Sequence, residues 1–209
     1  MKTAFKILLI IIIGFSAFNA NCQNDEILFL NGKTLKGTLL DKTKYEFTFK
    51  DDKSKQFIID KYRVFSYKQN QQETIVYTYD TLSGNFLKVE DMKLFVFGER
   101  DAYTSFKPKI ANYTSLGIGL VSGFMMQKDQ SFIYVPIPLV YTAATLVFPT
   151  KVNQKRLKDT RYIKEDEYLR GYERIARSKR TQSVLRNSII GMAAGFLVGL
   201  AVNGNDDKQ

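Results

Sequence analysis

The 209-residue chain has no histidine, no tryptophan, one cysteine and only four prolines. Histidine-based triads and Cys/His zinc sites are therefore out of reach. The lone thiol, Cys22, cannot close an intrachain disulfide, so in an oxidising compartment the fold must hold by packing alone. Acidic residues are also short: 21 Asp and Glu against 31 Lys and Arg leave a formal charge of +10. Carboxylate chemistry remains, but Asp60, Asp80, Glu90, Asp91, Glu99 and Asp101 each read as a turn, a helix start or a solvated face. We therefore expect no enzyme, no catalytic, cofactor or metal site, and no small-molecule substrate.

What is present begins with an export pattern over residues 1–22. Lys2 and Lys6 precede an apolar core from Ile7 to Phe18, and Ala20-Asn21-Cys22 supplies the small residues a signal peptidase reads. Cleavage there leaves Gln23 as the new N-terminus and removes the thiol. Two other readings stand beside it: an uncleaved N-terminal anchor, and lipidation of Cys22, which Asn19 and Asn21 fit poorly. Excess positive charge suits anionic lipid or nucleic acid. Export to the cell envelope favours the lipid bilayer and disfavours nucleic acid.

Residues 23–88 read as a small β-domain. Asn31-Gly32 is a two-residue hairpin signal, since both turn positions tolerate positive φ. Gly37 reads as a bulge. Phe47 and Phe49 alternate with Glu46, Thr48 and Lys50, the period of a strand with one buried face. Ile75, Tyr77 and Tyr79 continue that pattern. Five or six short strands at this spacing predict a closed or nearly closed barrel. The run from Leu30 to Asp41 resembles the first motif of Sm-like and related SH3-type barrels. That resemblance implies the barrel shape alone, because the second, RNA-contacting motif is not visible.

From Val89 the period becomes helical. Residues 89–108 form an amphipathic helix with Glu90 and Asp91 in its first turn. Residues 109–149 form an apolar helical hairpin near the minimum length for a bilayer. Residues 150–186 are basic and carry a second amphipathic helix, with Tyr168, Tyr172, Ile175 and Ala176 on one face. Residues 187–203 form a glycine-zipper apolar helix, and 204–209 a polar tail. The expected class is α+β: a small N-terminal β-barrel-like domain, then amphipathic helices and apolar transmembrane helices.

Ser115, Gly119 and Gly123 lie four apart, as do Gly191, Gly195 and Gly199. Residues four apart share a helix face, and small residues there let another backbone approach closely in lipid. These six are the expected helix-packing residues. Arg170, Arg174, Arg177, Lys179 and Arg180 are the expected membrane-surface basic residues. From Gly98 to Gly123 is 25 residues and from Gly171 to Gly195 is 24, which reads either as an internal repeat with a one-residue gap or as two unrelated helix pairs. A two-pass hairpin after an exported domain would put the basic segment on the wrong side for the positive-inside rule. Either the hairpin crosses once, the basic helix lies on the outer surface, or the rule does not apply.

The order of export signal, small β-domain, helix, glycine-spaced apolar segment, Tyr168-x-x-Gly171-Tyr172-x-x-x-Ala176-Arg177-x-Lys179-Arg180 and second glycine-spaced segment resembles a group of envelope proteins of Bacteroidota-type bacteria. The resemblance implies location and architecture and carries over no site residues. The expected function is that of a non-enzymatic, membrane-associated envelope protein with its β-domain in the periplasm. It would pack as a homo-oligomer or on another envelope protein. The alternative is an oligomeric pore, with Ser115, Ser122, Thr142, Thr145, Asn187 and Asn203 facing the channel.

Overall fold

A computed structural model describes residues 25–157 and 159–203. The export signal with Cys22, the tail 204–209 and the side chain of Asn203 lie outside the described residues. The chain is α+β, with an antiparallel sheet followed by four helices.

The strands are β1 (Asp25–Phe29), β2 (Thr34–Lys42), β3 (Glu46–Asp51), β4 (Gln56–Asp60), β5 (Val64–Gln69) and β6 (Gln72–Ile75). Their order is β4-β3-β2-β1-β5-β6. The sheet is open, not the expected barrel. Closure would need β4 and β6 to pair, and β6 is four residues long with every one of them exposed. A strand without a buried face gains nothing from curling across a core. Ile27, Leu39, Phe47, Phe49, Ile59, Val64 and Phe65 of the sheet are buried. The Asp25 carboxylate is buried with them and accepts the Leu39 N–H at 2.9 Å.

Two turn expectations need correction. At Asn31-Gly32 only Gly32 has positive φ (70°), and the bonds Gly32 N–H to Phe29 O and Phe29 N–H to Lys33 O define a three-residue loop. That is a type I turn closed by a left-handed glycine. The two-residue hairpin with both φ positive sits instead at Asn70 (50°) and Gln71 (66°), joining β5 to β6. The bulge in β2 falls between Leu39 and Asp41, while Gly37 pairs regularly with Asp51. Gly37 is needed for proximity, because a Cβ there would collide with the Lys50 carbonyl.

The helices are α1 (Val89–Ser105), α2 (Lys109–Lys128), α3 (Pro136–Val147) and α4 (Asp166–Asn203). Pro108 cannot donate a backbone N–H, and the helix breaks at Phe106–Pro108 before restarting. The basic amphipathic segment and the glycine-spaced segment, separate in the sequence reading, are one 38-residue helix. The chain divides into two compact units. One holds Leu35–Val76 with the start of β1; the other holds the hairpin tip Leu28–Thr34 and everything from Tyr77.

Candidate functional site: the glycine-paired helix crossing

Along α4 a single stripe is buried: Tyr168, Gly171, Tyr172, Ile175, Ala176, Arg180, Val184, Ser188, Gly191, Gly195 and Gly199. Apart from the adjacent pairs Gly171-Tyr172 and Ile175-Ala176 the intervals are three and four, so one face runs the length of the helix. Its partners rise in step with it. Tyr168 donates to Asp101, Tyr172 meets Ser105, Lys179 reaches Phe106 O and Ser183 donates to Asn112. The rod formed by α1 and α2 thus lies parallel to α4.

The glycines of the two rods pair reciprocally. A Cβ on Gly98 would collide with Tyr168 O, and one on Gly171 with Phe95 O. A Cβ on Gly119 would meet Ser188 O, and one on Gly191 Leu116 O. A Cβ on Gly123 would meet Met192 O, and one on Gly195 Leu120 O. Each glycine presses on the carbonyl three residues before its partner glycine. This is the arrangement of a pseudo-twofold axis running between parallel helices. It also places Cα–H groups against carbonyl oxygens, contacts worth about 0.5–1 kcal/mol each. Gly199 meets a side chain, with Gln127 Cβ 2.7 Å from where its own Cβ would stand. The extra residue on the α1–α2 side lies between Gly98 and Gly119, the interval that contains the break at Pro108.

The upper crossing, α1 on α4, adds polar and aromatic groups. Tyr168 OH donates to Asp101 at 2.9 Å, and the Tyr172 and Ser105 hydroxyls are 3.2 Å apart. Glu99 is fully buried beneath the hairpin tip, where a Cβ on Gly32 would strike it. Arg174 Nε lies 2.5 Å from Glu99 Oε1, an ion pair off the line of a hydrogen bond, so both carboxylate oxygens lack a hydrogen-bond donor. Desolvation pushes the carboxyl up to about 7, although the Arg174 charge pulls it down.

The five expected surface bases divide by neighbour. Arg170 pairs with Glu167, and Arg177 with Glu173, on exposed helix turns. Arg174 holds Glu99. Lys179 and Arg180 turn inward. Lys179 Nζ donates to Ala102, Tyr103 and Phe106 carbonyls at 3.3, 2.8 and 3.0 Å, closing the C-terminus of α1. Arg180, 8% exposed, donates to Phe148 O at 2.5 Å and to Pro149 O at 3.5 Å, closing α3. Cations at helix C-termini satisfy free carbonyls and complement the helix dipole. Periodicity could not reveal this, since the carbonyls come from segments 31 and 73 residues away in sequence.

In the lower crossing α3 runs back beside α2 and α4, its direction fixed by Arg180 at one end and by Tyr134, which donates to Asp129, at the other. The hydroxyls suggested for a channel are consumed here. Ser115, Ser122, Thr142 and Thr145 are buried and donate to carbonyls of their own helices, Asn112, Ile118, Pro138 and Thr142 respectively. Asn187 is partly buried. Outside, the same helices expose Val121, Leu139, Val140, Val147, Ile189, Ile190, Leu197 and Val198. Among the described residues no group of three or more Cys, Asp or Glu is placed to hold a metal ion. No known family, curated protein or solved structure matches the chain.

Proposed function

We propose that the protein is a non-enzymatic, membrane-associated component of the cell envelope. Its lower helices would form a packed bundle in lipid while its β-sheet stands in the periplasm. One observation carries the reading. α4 holds a stretch apolar and long enough to cross a bilayer, yet only 28% of that window is buried. The core helix of a water-soluble protein would bury most of such a window.

The lengths agree with this. α2 runs from Lys109 to Lys128, about 30 Å at 1.5 Å per residue, close to the hydrocarbon thickness. In lipid no hydrophobic effect drives helices together, and close backbone packing takes its place. The paired glycines supply that packing within one chain. A partner, whether another copy or another envelope protein, therefore meets the outer apolar surface and not the glycine faces.

The test is carbonate extraction of membranes from cells expressing the full chain. Retention in the pellet is expected. Release into the supernatant overturns the proposal and makes the exposed apolar surface a contact between soluble proteins.

A further inference from the structure

Every glycine in α1, α2 and α4 sits against a neighbouring helix or side chain, except Gly117, whose missing Cβ faces open space. Glycine inside a helix costs stability relative to alanine, and no contact among the described residues explains this one. Gly117 forms part of a groove between α2 and α3. Two adjoining hollows of about 360 and 460 Å³ share Ile118 and Ile137, with Met125 at one end and Ala144 at the other. The three hydroxyls that border it are already bonded: Ser122 donates to Ile118 O, Tyr134 donates to Asp129, and the Tyr141 and Thr114 hydroxyls are 2.5 Å apart.

Resting on the membrane reading above, we propose that this groove binds one acyl chain of a bilayer phospholipid. A groove whose hydroxyls already spend their hydrogen-bond donors selects hydrocarbon over a polar ligand. Its length also fits. The lining from Tyr134, in the helical turn before α3, to Ala144 in α3 rises about 15 Å, half of the roughly 30 Å hydrocarbon core and so the reach of one leaflet. Val121, Ile137 and Val140 along it are exposed, continuous with the surface that would face lipid. Gly117 lowers the floor so that the chain lies between the helices instead of across them.

The experiment uses the full-length protein in detergent with excess phosphatidylcholine, followed by native mass spectrometry of lipid retained per chain. One phosphatidylcholine is expected on the wild type. Gly117→Leu, which meets no neighbour, should cut that occupancy about tenfold by filling the floor. Ala144→Leu should do the same from α3, and serves if the first variant does not fold. Leu197→Ala, on the exposed face of α4, should retain the lipid. No retained lipid on the wild type, or equal retention in both groove-filling variants, overturns the proposal. A wild-type dimer that Gly117→Leu dissociates also overturns it, since the groove would then seat a second copy. Carbonate extraction reports on the membrane reading alone, and lipid per chain on the groove alone.

Discussion

The upper and lower halves of α4 use the same paired glycines in opposite surroundings. Above Arg180 the crossing is lined by tyrosines, a buried carboxylate and capped helix ends, with charged residues outside. Below it the crossing is dominated by glycine and self-bonded hydroxyls, with buried Val184 and one cross-helix bond, Ser183 to Asn112, near its top and apolar side chains outside. The upper half can be held by buried aromatic area and hydrogen bonds even if its backbones part slightly. The lower half has little besides backbone proximity, so it is the more sensitive to added volume.

The largest effect should come from breaking that proximity. Gly195→Leu drives a side chain into the Leu120 carbonyl and should cost about 3 kcal/mol or more. It would show as lost resistance to proteolysis of α2 and α4 in detergent. Gly117→Ala, on the opposite face of α2, should instead be neutral or stabilising by up to about 1 kcal/mol. If both variants behave alike, glycine flexibility and not close approach explains the lower crossing.

The next effect belongs to the upper half and depends on pH. Burial raises the Glu99 carboxyl from its ordinary 4.5 to about 7, so the folded protein binds this proton more tightly than the unfolded chain does. Its contribution is then most favourable below the unfolded value and declines as pH rises through about 7. Glu99→Gln should flatten thermal stability between pH 4.5 and 7 and exceed the wild type at pH 8, by an amount on the order of 2 kcal/mol. Exposed Arg174 returns to water in that variant. A variant less stable than wild type at pH 8 would mean that the ion pair outweighs desolvation.

The smallest effect sharpens the contrast. Tyr168→Phe removes only the hydroxyl that donates to Asp101 and should cost about 1 kcal/mol, read as a modest fall in melting temperature. Loss comparable to that of Gly195→Leu would mean the upper half is no more tolerant than the lower.

Much of this architecture was readable locally. Helical periodicity marks α1 and the amphipathic start of α4, and alternation marks Phe47 and Phe49 in β3, because both are one-dimensional signals of which face is buried. The glycine spacing was readable as a smooth face. Turn chemistry was less so: Asn31-Gly32 closes a three-residue loop, and the two-residue turn falls at Asn70-Gln71, which carries no glycine signal, since the sheet's twist and register choose the turn. Barrel closure was not readable either. It depends on whether the first and last strands meet, and no local pattern in β4 or β6 states that.

The sequence by itself determined which residues are small, apolar or charged, and hence which helix faces could be buried. The tertiary structure alone decided that Gly119 and Gly123 face Gly191 and Gly195 of the same chain, and that Lys179 and Arg180 close helix ends. Those outcomes depend on which of several equally smooth or basic surfaces meets which. That choice is made by connectivity: the break at Pro108 and the return through α3 bring the two rods alongside in one register.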